Sequence, residues 1–196
     1  MDTDAIQAVL EFWFGDPEAK TVTYAERRKL WFGKQPDWDA AIRQQFLSTY
    51  DQAAAGVLDS WQQTPSGSLA LILLLDQFSR NMFRDTPQAF ATDAQALRAA
   101  RHTVAQGFDQ HLHPLQQLFV YLPFEHSENL ADQAESVQLF RQLESVAPDL
   151  TDVLDYAVRH QTVIQRFGRF PHRNRILGRA STPEEVEFLK QPGSSF

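Results

Sequence analysis

The sequence predicts an all-α fold, a single domain over residues 1–196 built as an antiparallel array of helical hairpins. Three observations predict it. Apolar residues recur at three- and four-residue spacing along most of the chain. No run alternates apolar and polar residues as a half-buried strand would. Prolines, glycines and short polar residues fall at the ends of the periodic stretches, and the connections are short enough to make neighbours antiparallel.

The elements follow in order. Ile6, Val9, Leu10 and Trp13 share one helix face, which Gly15 and Pro17 end. Tyr24 to Phe32 reads as a short second helix. Pro36 opens a third, with Trp38, Ile42, Phe46 and Tyr50 inward and Gly56 as its close, and Val57 to Trp61 adds a turn. Pro65 to Ser68 is a loop and helix start. Ser68 to Met82 is apolar on nearly every side in its first half, so this helix is expected at the centre. Pro87 to Gly107 carries Phe90, Ala94, Leu97, Ala100 and Val104 inward. Pro114 suits a first helical position, with Leu115, Leu118, Phe119 and Leu122 on one face and Pro123 as the stop. Asn129 to Val146 repeats the pattern through Leu130, Ala134, Val137, Phe140 and Leu143. Asp149 to Phe167 places Val153, Ala157, His160, Ile164 and Phe167 on its stripe, with Gly168 after it. Thr182-Pro183-Glu184-Glu185 is a capping box that starts a last short helix.

Composition narrows the function classes. The chain has no cysteine, which removes disulfides, thiolate zinc sites and thiol catalysis, and suits a reducing cytoplasm. Its start is acidic and lacks a basic, then apolar, leader pattern. The longest apolar run, Leu69 to Leu75, is seven residues, too short for a membrane span. A net charge of −7 disfavours nucleic acid as a partner. The expectation is a cytoplasmic protein with neither membrane nor nucleic-acid binding.

Charge is distributed unevenly. Tyr156 to Arg179 holds six arginines, His160 and His172, and no acid, while the rest of the chain sets 12 basic residues against 25 acidic ones. Arginine, rather than lysine, points to fixed forked contacts with carboxylates or phosphates. Arg166, Arg169, His172, Arg173 and Asn174 lie where a helix breaks at Gly168 and Pro171. Phe167 and Phe170 can anchor that turn while the cations point elsewhere. They either bind an anion or bridge back to Asp76, Glu125 and Glu128.

Asp76 and Arg80 stand four apart on the apolar central helix, beside Gln77 and Asn81. A carboxylate in that setting needs a partner. The pair is either a structural bridge or a site wall, with Asp76 in proton transfer and Arg80 and Asn81 as ligand donors. Glu125-His126-Ser127-Glu128 surrounds a histidine with carboxylates after Pro123, which can tune His126 as a base. Its spacing does not match helical zinc motifs, so no metal is expected. The alternative is helix capping by Ser127 or Asn129, with Glu128 favouring the helix start. His160 falls on an apolar stripe, either as a satisfied core residue or as a fourth proton-transfer group. The tryptophans and phenylalanines sit at core spacing.

Four ordered strings carry a resemblance: Val9-Leu10-Glu11-Phe12-Trp13-Phe14-Gly15, Leu75-Asp76-Gln77-Phe78-Ser79-Arg80-Asn81, Tyr121-Leu122-Pro123-Phe124-Glu125-His126-Ser127-Glu128 and Arg166-Phe167-Gly168-Arg169-Phe170-Pro171-His172-Arg173-Asn174. Together they resemble the bacterial domain of unknown function 924 family, over nearly the whole chain. The resemblance implies an all-helical fold similar to tetratricopeptide-repeat proteins, and it implies no activity. One departure is Ser79, where proline is expected in many members and would kink the helix.

The reading that results is a pocket for a small anionic molecule, compatible with an enzyme. Asp76, His126, Glu128 and His160 would move protons, and Arg80, Asn81, Arg166, Arg169, His172, Arg173 and Asn174 would hold the guest. The alternative is a non-enzymatic scaffold that presents a helical groove to a protein partner.

Overall fold

The computed structural model describes residues 2–15, 24–150 and 152–195, and among them the chain forms ten α-helices and no strand. They are α1 (Asp2–Phe14), α2 (Tyr24–Phe32), α3 (Pro36–Ala54), α4 (Pro65–Ile72), α5 (Ser79–Met82), α6 (Asp93–Ala105), α7 (Pro114–Glu125), α8 (Leu130–Val146), α9 (Val153–Phe167) and α10 (Pro183–Leu189). Short 3-10 turns at Asp59–Gln63, Pro87–Phe90, Asp109–His111 and Pro171–Arg173 join some of them. The expected stop at Pro17 lies outside the described residues.

Side-chain caps set several boundaries. Thr64 accepts the Gly67 N–H at the start of α4 (3.1 Å). Asn129, rather than Ser127, caps α8 by accepting the Ala131 N–H (2.8 Å). The Thr182 box forms in both directions, with Glu185 N–H donating to Thr182 (3.2 Å) and Thr182 N–H donating to Glu185 (2.7 Å). Gly168 takes the left-handed φ of 67° that ends α9.

The core forms around α4, which α1, α6 and α7 all pack against, while α7, α8 and α9 stack in sequence. This neighbour-on-neighbour stacking is compatible with the expected hairpin array. Leu69 to Leu75 is buried on every side. At roughly 1.5–3 kcal/mol for each large apolar side chain removed from water, this segment is a main source of stability. A smaller apolar cluster of Val163, Ile164 and Phe170 lies under α10, with Phe167 and Phe188 against it.

Four expectations need correction. The central helix starts at Pro65 and is not regular, because Leu73–Phe78 winds as a π-helix. π-winding leaves carbonyls in need of partners. Ser79 and Thr92 hydroxyls donate to Leu75 O (2.9 and 2.6 Å), and Ser79 and Arg80 donate to Asp76 O (3.0 and 2.7 Å).

Second, Pro123 does not end α7, which runs on to Glu125. A missing N–H two residues from a helix end costs one bond. Buried Gln133 then fastens the exit by donating to Glu125 O and Ser127 O (both 2.7 Å). Third, α8 buries Asp132, Gln133 and Ser136 with Val137, Phe140 and Leu143, and exposes Leu130 and Ala134. The polar work of Gln133, and the Asp132 contacts to Arg101 and Ser127, turn the helix away from its purely apolar stripe. Fourth, the stretch from Pro87 begins as a 3-10 turn and α6 buries Ala96, Ala99, Ala100 and Thr103, with Ala94 exposed. Small residues on that face allow close approach to α4.

Candidate functional site

The site grows from the π-helical turn. Asp76 is wholly buried and lies within 3.0 Å of Arg80 Nη1. His126 caps the C-terminus of α7, and its Nδ1 lies 2.7 Å from Asp76 Oδ1. Gln77 donates to the other carboxylate oxygen (2.6 Å), so Asp76 has a donor on each side. Arg80 turns its second nitrogen to Asp93 Oδ2 at the start of α6 (3.1 Å).

Burial opposes ionisation of Asp76, but Arg80 and His126 hold its carboxyl well below the ordinary range. Burial, then the charge of Arg80, lowers His126 against the pull of Asp76. His126 is therefore a neutral imidazole whose Nδ1–H donates to Asp76, and its basic lone pair is on Nε2.

Next along α7, Glu125 is 4% exposed, and burial, followed by the charge of Asp76, raises its carboxyl to about 8. It keeps its proton at neutral pH. Its Oε1 stands 3.2 Å from His160 Nδ1 on α9, which donates to Tyr156 O (2.8 Å). Burial lowers His160 well below its ordinary value. The His126 and His160 rings are 6.5 Å apart, edge to face.

Glu125, His126 and His160 line a cavity of about 270 Å³. Apolar walls come from Phe32, Leu118, Leu122, Phe140 and Val153, and Tyr24, Arg28 and Tyr156 add polar groups. Tyr24 donates to Asp152 (2.8 Å), Arg28 also pairs with Asp152, and Arg28 donates to the Tyr156 hydroxyl (3.3 Å). Such a cavity, mostly apolar with a few convergent polar groups, has the composition of a small-molecule site.

The arginine-rich turn is placed differently. Arg166 pairs with Glu184 (2.8 Å), and Arg169 forks onto Glu185 (2.6 and 2.8 Å) and reaches Ala180 O (2.9 Å). Asn174 donates to Ser181 and Glu185 (3.0 and 3.3 Å). Arg179 forks onto Glu128 (2.7 and 3.0 Å), which also accepts the Phe170 N–H (2.8 Å). These groups stitch the turn to α10 and to the end of α7. Asn81 donates to Asp39 (2.7 Å) beside Arg84, on α3 and away from the cavity lining.

Arg173 and His172 reach the centre. Arg173 is 6% exposed and lies over the rings of Phe90 and Phe170 (4.8 and 4.5 Å), with its Nη1 3.4 Å from Asp93. Burial, then the charge of Arg80, lowers it to about 10. The His172 ring lies 5.6 Å from Phe170, and burial, then Arg173, lowers its imidazole to about 3.

Asp76, Arg80, His126, His160, His172 and Arg173 thus converge from three distant segments, while Asn81, Glu128, Arg166, Arg169 and Asn174 serve contacts around them. Glu125 was legible only as an acid beside His126. Its burial follows from the apolar run that precedes it, from Leu118 to Phe124. Tyr24, Arg28 and Tyr156 had no signal beyond the spacing of Tyr156 one turn before His160. Among the described residues, no group of three or more His, Asp or Glu side chains is arranged to hold a metal. No described helix is long and apolar enough to cross a membrane.

A family model described as bacterial protein of unknown function (DUF924) matches residues 9–193. The solved structure of a protein of unknown function, ATU0120, from Agrobacterium tumefaciens is similar to this chain, with a TM-score of 0.84 and 35% identity. The match covers 97% of this chain and 99% of that one. No curated protein matches the chain.

Proposed function

We propose that this chain, which belongs to the DUF924 family, is an enzyme that binds a small anionic molecule in the cavity and moves a proton on it. One observation carries the reading. His126 lines the cavity while its Nδ1 is committed to buried Asp76 at 2.7 Å. That pairing fixes the tautomer, leaves Nε2 as the base and stabilises the imidazolium formed when a proton is taken. Glu125, still protonated, is the matching acid on the same wall. The two side chains come from adjacent residues, yet their surroundings drive their proton affinities apart. The reaction class is general acid–base catalysis, by proton abstraction from the guest or from a water molecule. His160 is a third neutral group at this wall. The scaffold alternative has less to carry it: the exposed large apolar residues Phe32, Val57, Leu130, Val146, Val158, Leu177 and Val186 come from different elements and loops rather than from one helix face.

The test has two parts. Nitrogen NMR of the parent should show His126 protonated on Nδ1 and bare on Nε2 at pH 7. A panel of carboxylates and phosphate monoesters, read by thermal shift, should then give a compound that the parent transforms and His126→Gln binds but leaves unchanged. A compound turned over equally by both proteins removes His126 from the chemistry and the reading with it.

A further inference from the structure

Arg173 breaks the pattern of its neighbours. Arg166, Arg169 and Arg179 each have a carboxylate within 2.9 Å. Arg173 is more deeply buried than any of these, with 8% of its side chain exposed, yet its one ion-pair contact among the described residues is 3.4 Å long. That contact is to Asp93, which lies closer to Arg80 (2.9 Å) and is its partner first. Arg173 Nε is buried with no hydrogen-bond partner among the described residues. A guanidinium offers five donors, and sequestering them without acceptors is costly. The guanidinium carbon lies over the rings of both Phe90 and Phe170, at 4.8 and 4.5 Å, which restrains the side chain.

The surroundings suit an incoming anion. Arg80 stands next to Arg173 and shares Asp93 with it. Phe170, which stacks on Arg173, also packs on His160 (5.5 Å), so the guanidinium lies one ring away from the proton-transfer wall. Arg80 and Asp93 form the solvent edge, with 20% and 23% of their side chains exposed. Arg173 itself lies outside the residues that line the cavity.

We propose that Arg173, backed by Arg80, grips the oxyanion of the guest, a carboxylate or a phosphate monoester, and leaves the remainder of the molecule to the His126 wall. The anion would take the under-used donors of Arg173, while Asp93 stays with Arg80. This inference rests on the small-molecule reading above and names the charged end of that molecule.

Inorganic phosphate and acetate are the probes, each titrated at constant ionic strength with chloride as the balance. The parent should show a saturable rise in Tm with at least one of them. Arg173→Lys keeps the charge and loses the fork, and should weaken the apparent affinity at least tenfold. Arg166→Gln should respond as the parent does. A response to phosphate alone assigns a phosphate ester, a response to acetate alone assigns a carboxylate, and both support the subsite. No saturable shift in the parent, or an undiminished one in Arg173→Lys, overturns it. So does a loss that follows Arg166→Gln instead. Should Arg173→Lys fail to fold, the Arg173 Nε–H resonance of the parent is the readout. It must move on adding the probe while that of Arg169 stays. The opposite pattern overturns the subsite. The two proposals fail separately: losing the anion response leaves the His126 tautomer result standing, and a protonated Nε2 leaves the anion response standing.

Discussion

The Arg169–Arg179 clamp and the Asp76–Arg173 centre hold the same residue types, but they are satisfied to different degrees. In the clamp, Arg169 and Arg179 each fork onto one carboxylate, and Glu128 and Glu185 also accept backbone N–H groups from Phe170 and Thr182. Every charge has a near, geometrically matched partner. In the centre, two arginines share Asp93, a glutamic acid keeps its proton, and three histidines are held neutral by burial. Complete pairing is what a structural fastening requires. A carboxylate shared by two arginines and buried titratable groups held neutral cost stability without improving the fold, and such groups concentrate where ligands bind and protons move.

Three substitutions bear on that contrast. The largest effect is expected at Asp76, whose carboxylate meets Arg80, His126 and Gln77. Asp76→Ala leaves Arg80 and His126 without their shared acceptor, and should cost about 3–5 kcal/mol in urea unfolding. It should also ease the ionisation of Glu125, which the Asp76 charge opposes. A loss below 1 kcal/mol would place Asp76 among ordinary surface pairs and erase the distinction between the regions.

Glu125 comes next, and its sign is opposite to that of most acids. The folded carboxyl sits at about 8, above its unfolded value of 4.5, so the native state holds a proton that the unfolded chain releases. Stability is full below pH 4.5 and declines as pH rises towards 8. Glu125→Gln has no proton to lose. Between pH 4.5 and 7 it should gain roughly 3 kcal/mol on the parent, seen as Tm curves that diverge with pH. Parallel curves would mean that Glu125 is ionised in the fold and is not the acid.

The smallest effect belongs to the clamp. Glu128→Gln keeps an acceptor for the Phe170 N–H and loses the charge that Arg179 grips, in a half-exposed setting. It should cost about 1 kcal/mol and leave the phosphate or acetate response intact. Loss of that response would move the guest's site from Arg173 to the clamp.

Local signals were legible in the sequence, and distant ones were not. Thr182 to Glu185, Pro114 and Gly168 marked helix ends because capping involves residues three or four apart. The faces of α6 and α8 were misjudged because a small or polar face can be the buried one. Gln133 is inward to hold the backbone of Glu125 and Ser127, a partnership that spacing within α8 cannot disclose. The site was half legible for the same reason. Asp76 in an apolar helix announced a paired charge. Arg169 and Arg173 stand in one short basic run, and only their partners, Glu185 on one side and Asp93 eighty residues earlier, separate a fastening from an under-satisfied cation.

The π-helical turn at Leu73–Phe78 also sets the angular register of everything after it. A π-turn behaves as a one-residue insertion into an α-helix, which delays the following side chains by one residue's rotation, about 100°. The same residues wound as a regular α-helix would instead run ahead of their present directions, by about 100° past Phe78. Asp76 and Arg80 would stay four apart and keep each other, but their shared direction would swing away from His126 on α7. Such a regular helix would keep its ion pair and lose its dyad, dividing the fold from the chemistry within one turn of helix.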